Sequence, residues 1–159
     1  MKGIYNITVL GIALAFSLVP LTIQAVPIRA KHLLVQNNAV YNALSQGLEK
    51  YKKGDYQRAV ADFDRAIKLN PKNYDAYNKR GTALYELKEY QRAIADFSQA
   101  IKLNFNSDIS YYNRGLILAE ELNNNKAGIE DCNRAIQINP KYHIAYFKRG
   151  NSRFLLGDR

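Results

Sequence analysis

One stretch of this chain is written twice, and the interval between the copies dictates what it folds into. Residues 54–70 (Gly54-Asp55-Tyr56-Gln57-Arg58-Ala59-Val60-Ala61-Asp62-Phe63 and onward to Asn70) recur at residues 88–104 (Lys88-Glu89-Tyr90-Gln91-Arg92-Ala93-Ile94-Ala95-Asp96-Phe97 to Asn104), an offset of 34 residues. Single glycines keep the same beat: Gly47, Gly81, Gly115 and Gly150 fall 34, 34 and 35 residues apart. The third unit therefore holds one extra residue, which the register places near Ala119-Glu120-Glu121.

Within a unit the apolar positions have helical spacing. Ala93, Ile94, Phe97, Ala100, Ile101 and Leu103 return every three or four residues and form one broad stripe on a helix. Gly54-Asp55 and Asn123-Asn124-Asn125 carry turn chemistry, and Asn70-Pro71 and Asn139-Pro140 close helices that proline cannot continue. Each unit is thus helix, turn, helix. Gly81, Ala93 and Ala100 are expected to let two helix backbones approach, with Tyr90 and Phe97 filling the space beside them.

This pattern resembles the tetratricopeptide repeat, from about Val40 to the C-terminus. The resemblance implies an all-α, right-handed superhelical solenoid of antiparallel helix-turn-helix repeats, with three full repeats (40–73, 74–107, 108–142) and one lone C-terminal helix (143–159) that is either a cap or a truncated fourth repeat. Residues 26–39 read as a leader into the first helix. The departures carry expectations of their own. Lys50 stands at a usually apolar place, with Tyr51 beside it to supply the packing. Asn125, Gly128 and Cys132 replace the aromatic, the alanine and the phenylalanine of the second unit, so the third hairpin is expected to be the loosest. Phe105 replaces the proline of the other boundaries, so that boundary is expected to be less sharp.

Ahead of the repeats, Lys2 is followed by no charge until Arg29, and Ile7 to Val19 is apolar apart from Thr8, Gly11 and Ser17. With Pro20 and Ala25 after it, this is the layout of a secretory signal with a mature start at Val26. The uncharged run is also long enough to act as a retained membrane anchor, which takes about 20 residues. Both readings put the repeats on the non-cytoplasmic side, exported to a periplasmic or external space.

No motif for catalysis is present. The glycines are single and tied to the repeat, so there is no phosphate loop or nucleophile elbow. One cysteine cannot bridge within the chain, and with two histidines it makes no convincing zinc site. Neither a cofactor nor a small-molecule substrate is expected. Cys132 reads as a buried filler, His32 and His143 as solvated, and Glu120, Glu121, Glu130 and Asp131 as a solvated charged face.

What remains is the surface lined by the first helix of each unit, the concave side in a helical-hairpin array. The register places Asn78, Lys79, Thr82, Tyr112, Asn113, Leu116, Phe147, Lys148 and Asn151 there, amides and aromatics suited to a protein or peptide partner, with lysines to attract its acidic groups. The family includes a clamp for the C-terminal carboxylates of cytosolic chaperones. Here its positions hold Asn78 with Thr82, then Asn113, then Ile144 with Lys148, so the first lysine is missing and the resemblance argues against that ligand. The leading expectation is a non-enzymatic scaffold. The alternatives are a binder of an anionic partner, membrane surface or nucleic acid, and a regulatory fragment of a larger enzyme. The net charge of +9 bears on the second of these. By unit it is +3, +1, −1 and +3 from residue 40 onward, gathered at the two ends rather than in one stripe, which argues against nucleic acid.

Overall fold

In a computed structural model, residues 27–157 are described; residues 1–25, read from the sequence as a signal or anchor, and Asp158, read as part of the closing turn, lie outside them. Seven α-helices occur among the described residues: α1 (Ile28–Lys52), α2 (Tyr56–Leu69), α3 (Tyr74–Glu86), α4 (Tyr90–Leu103), α5 (Asp108–Leu116), α6 (Asn125–Ile138) and α7 (His143–Leu155). No strand occurs among these residues, and consecutive helices pack as antiparallel pairs, so the fold is an all-α helical repeat solenoid. The chain divides into two compact units, residues 1–38 and 39–159, and the repeats belong to the second. In the first, the start of α1 leaves Leu33, Leu34 and Val35 exposed. No described helix is long and apolar enough to cross a membrane.

The turn inside each hairpin uses the same backbone device. Gly54, Lys88, Asn123 and Gly157 all take positive φ, at 78°, 60°, 52° and 80°. Only two of these are glycines; Lys88 bears the strain of a left-handed conformation with a side chain attached. In the first and third hairpins the following side chain caps the next helix, whereas Glu89 of the second makes no such bond. Asp55 and Asn124 accept from the backbone N–H three residues on, at 3.3 and 3.2 Å.

The boundaries between units rest on asparagine, which corrects the expectation for Phe105. Asn70, Asn104 and Asn139 each end a second helix in extended conformation. Each side chain then accepts from the backbone N–H two residues on (Lys72, Asn106, Lys141) at 3.1, 3.2 and 3.1 Å. The turn with Phe105 is built like the two with proline, because the Asn side chain supplies the turn.

The core is a line of ring-on-glycine contacts. A Cβ on Gly47 would lie 2.5 Å from the Phe63 ring, and one on Gly81 would lie 3.0 Å from the Phe97 ring. The glycines thus admit the ring of the partner helix itself rather than only its backbone. The third hairpin corrects the expectation of looseness. Where Cys132 replaces the ring, a Cβ on Gly115 would meet Asp131 Cβ at 2.8 Å and Gly128 O at 3.1 Å, and one on Gly128 would meet Ala119 Cβ at 2.6 Å. The small residues bring these two backbones together.

The extra residue of the third unit becomes a π-helical turn. Ile117–Glu121 continues α5 in π geometry, and the Leu122 N–H donates to Ile117 O five residues back at 3.2 Å. A wider turn stores the insertion where the sequence register placed it.

Candidate functional site

Each first helix presents one side to solvent, and along it lie three shallow clefts. The first is bounded by Asp75, Asn78, Lys79 and Thr82 of α3 with Ile109 of α5. The second lies between Thr82, Tyr85 and Glu86 of α3 and Asn113 and Leu116 of α5, floored by Phe97. The third is bounded by Leu116 and Glu120 on one side and Lys148, Asn151 and Leu155 of α7 on the other, floored by Cys132. Thr82 belongs to the first two and Leu116 to the last two, so the clefts form one row. Their volumes, about 130, 190 and 120 Å³, are below the ~300 Å³ at which a drug-sized ligand is enclosed. A row of small clefts instead suits successive side chains of an extended segment.

Seven of the nine groove residues read from the sequence line this row: Asn78, Lys79, Thr82, Asn113, Leu116, Lys148 and Asn151. Two do not. Tyr112 stacks its ring on Tyr142, 5.1 Å between centroids, in the cluster around Ala135 and Ala145, and so packs between helices. Phe147 is 64% exposed and borders none of the three clefts.

Electrostatics in the row differ from expectation, since its lysines have acidic partners within the chain. Lys79 pairs with Asp75 at 3.3 Å, and Lys148 donates to Glu120. Acids outnumber bases here, with Asp75, Glu86 and Glu120 against Lys79 and Lys148, so the lysines are no free clamp for a carboxylate. Asn78 is different. It is 8% exposed, and its Oδ1 is enclosed with no partner among the described residues. A buried carbonyl-type oxygen left without a donor costs about 1–3 kcal/mol. Thr82 beside it donates to the Asn78 backbone O at 3.0 Å.

Tyrosines bind the rim. Tyr51 Oη donates to Glu86 at 3.2 Å, joining the first hairpin to the second; burial, then the Glu86 carboxylate, pushes its hydroxyl up to about 12. Burial pushes the Cys132 thiol up to about 11, which keeps it protonated and unreactive at neutral pH.

Behind the row runs a ladder that the sequence reading missed. Arg80 donates Nε and Nη2 to Asp96, at 2.7 and 2.6 Å, and Nη1 to Asp64 of the preceding hairpin at 2.5 Å. Arg114 repeats this on Asp131 and Ser98, so Asp131, expected on a solvated face, is buried in a two-pronged ion pair. Hydrogen bonding to these carboxylates raises both arginine pKa values further above their ordinary range. The signal was available: Arg precedes Gly at 80–81, 114–115 and 149–150, and Asp precedes the core ring or its cysteine substitute at 62–63, 96–97 and 131–132.

A row of helical hairpins with a polar cleft face is the build of an interaction repeat protein. Tetratricopeptide repeat profiles match residues 44–108 and 109–142, together more than half of the chain. The chain belongs to the tetratricopeptide repeat family. It is similar to the TPR domain of Arabidopsis OM64, at 28% identity over 74% of this chain and 97% of that one, with a TM-score of 0.71. It is also similar to MamA, at 28% identity over 83% and 78%, with a TM-score of 0.73. The second TPR domain of human RPAP3, solved with the HSP70 peptide SGPTIEEVD, shares the fold at 20% identity over 74% and 98%, TM-score 0.71. No curated protein matches the sequence.

Proposed function

We propose that this chain is a non-enzymatic scaffold that seats an extended segment of a protein or peptide partner along its first-helix face, on the non-cytoplasmic side of a membrane. The observation that carries the reading is the continuity of the row: a cleft lined by Asn78 and Lys79 continues, through Thr82 and Leu116, into two more. Extended peptides offer a backbone N–H at every residue and a side chain for each cleft. Family membership agrees, because tetratricopeptide repeats are interaction modules, and the RPAP3 domains supply cases with a bound peptide. The location rests on the basic start, apolar stretch and Ala25 of the first residues.

The test is crosslinking with mass spectrometry on the native envelope fraction, with wild type compared to an Asn113→Ala/Lys148→Ala double variant whose helicity is intact by circular dichroism. Loss of specific crosslinked partners supports the groove; retention of every partner sinks it. The mass of the purified envelope form decides between a cleaved start at Val26 and a retained anchor. A second reading, an anionic partner, draws on the exposed Arg65, Lys68 and Lys72 of the first repeat. It requires an affinity that collapses in moderate salt.

A further inference from the structure

The middle of the three clefts carries a charge that the chain itself does not answer. Phe97 floors it, and the Tyr85 ring on its α3 side lies against that of Tyr90, 5.9 Å between centroids. Glu86 stands at its edge and accepts from Tyr51 Oη at 3.2 Å. The π turn brings two more carboxylates to this part of the row: Glu120 borders the adjoining cleft, and Glu121 accepts from the Tyr90 hydroxyl. Lys148 neutralises Glu120, but among the described residues no lysine or arginine pairs with Glu86 or Glu121. A tyrosine hydroxyl orients a carboxylate and leaves its charge in place. These charges reach the cleft wall. Burial, then Glu121, Glu120 and Glu86, push the Tyr85 hydroxyl above its ordinary value, against the lowering effect of Lys148. Glu121 also belongs to the insertion. The second unit runs Tyr85-Glu86-Leu87 where the third runs Ala119-Glu120-Glu121-Leu122, so the surplus position holds an acid that meets a tyrosine of the preceding repeat. Single π turns inside α-helices often mark functional sites.

We propose that this middle cleft seats a lysine or arginine side chain of the bound segment, so that the partner is a protein presenting a basic residue in an extended stretch. The aliphatic stem lies on Leu116 and the Tyr85 ring, and the charged head stays in water at the rim that Glu86 and Glu121 make negative. A cation gains further from the face of a tyrosine ring. This preference is opposite in sign to that of a clamp for carboxylate tails, and it uses the acids of the row, whose lysines are already paired. It presupposes the row as the seat of an extended segment, the reading proposed above, and adds the charge of what fills its centre.

The probe is a displayed library of random nonapeptides, panned against the full chain. The variants are Glu86→Gln, Glu121→Gln, the two together, and Glu130→Gln. Glutamine keeps an acceptor for each tyrosine, and both acids are exposed, so the fold is retained, which circular dichroism checks. Glu130 is exposed and lines none of the clefts, so its variant controls for the loss of a charge. The net charge of +9 disfavours basic peptides in general, so their enrichment reports a local seat. Wild type is expected to enrich peptides that share one lysine or arginine position. For a labelled peptide of that set, fluorescence anisotropy is expected to show a loss of about fivefold on Glu86→Gln or Glu121→Gln. Glu130→Gln is expected to change nothing. With its basic residue replaced by methionine, the peptide should bind wild type and the Glu86 and Glu121 variants alike. Enriched peptides without a shared basic position, or an affinity that the double variant leaves unchanged, would overturn the charge preference and leave the row standing as a binding face. Failure of wild type to enrich any peptide would overturn both.

Discussion

Arg114 grips Asp131 with two parallel bonds, Nε to Oδ2 and Nη2 to Oδ1, both 2.8 Å long, and reaches Ser98 of the preceding hairpin with Nη1 at 3.0 Å. One side chain therefore ties the two helices of its own repeat and the repeat before it. The carboxylate is buried while the guanidinium is about a quarter exposed, so the pair is partly shielded from water. Asp131→Asn keeps the volume but removes the charge and one acceptor. It is expected to destabilise the protein by about 2 kcal/mol, the range for hydrogen bonds to charged groups. Arg149→Gln, which removes a bond to exposed Asn133 and the cation's contact with the Tyr146 ring, breaks no ion pair and is expected to cost less, about 1 kcal/mol or below. Urea unfolding of both variants checks this, and equal losses would show that the ladder contributes nothing special.

Glycines at the same repeat position should respond with opposite sign. A methyl at Gly115 enters a contact with Asp131 Cβ and the Gly128 carbonyl, neither a flexible chain end, so Gly115→Ala is expected to cost about 1–3 kcal/mol by overpacking. Gly150→Ala meets nothing and gains helix propensity, so it is expected to stabilise by about 0.5–1 kcal/mol. Lys88→Gly relieves a left-handed residue and is expected to stabilise by about 1 kcal/mol. Thermal midpoints rank the three; a stabilising Gly115→Ala would refute the close approach of α5 and α6.

Alkaline pH should destabilise the protein through its raised tyrosines and its cysteine, three of these groups most strongly. Tyr51 and Tyr142 are raised from 10 to about 12 and Cys132 from 9 to about 11, each chiefly by burial. The unfolded chain therefore releases these protons first, and above their ordinary values it binds fewer protons than the folded one. Stability is fully present below pH 9 and falls progressively between about pH 9 and 12. Urea midpoints measured from pH 7 to 12 are expected to be flat and then to fall. Tyr142→Phe should lessen the fall, and an unchanged slope would remove Tyr142 from the account.

The repeat was legible because glycine, alanine and ring positions recur with little variation, and these types fix how closely two helices pack. Less legible were effects that depend on partners. Cys132 and Gly128 looked like missing bulk, but smaller side chains let the helices close rather than leave a gap. Phe105 looked like a weakened boundary, but Asn104 carries the turn. Asp131 looked solvated because its partner lies 17 residues away on another helix. Lys148 looked free for the same reason, since it meets Glu120, which is 28 residues distant. Ion pairing across helices leaves no periodic trace unless both partners are tracked through every repeat.

The extra residue in the third repeat offers the sharpest test of that register. If Ile117–Glu121 is an insertion absorbed as a π turn, then deleting exposed Glu121 restores the 34-residue beat. The helix can then close with ordinary bonds four residues apart, while Asn124 still caps α6 and Asn123 still makes the turn. The deletion is expected to change stability by no more than about 1 kcal/mol and to leave helicity equal or higher. Deleting exposed Glu86, the equivalent region of α3, gives the contrast, because no residue is in surplus there. Leu87 and Tyr90 would be pulled off the Phe97 cluster, and the expected loss is about 3 kcal/mol or more, as for a large core truncation. Circular dichroism with urea unfolding measures both. Equal losses would mean that the π turn is needed by the packing of the third repeat and is not a store for one surplus residue.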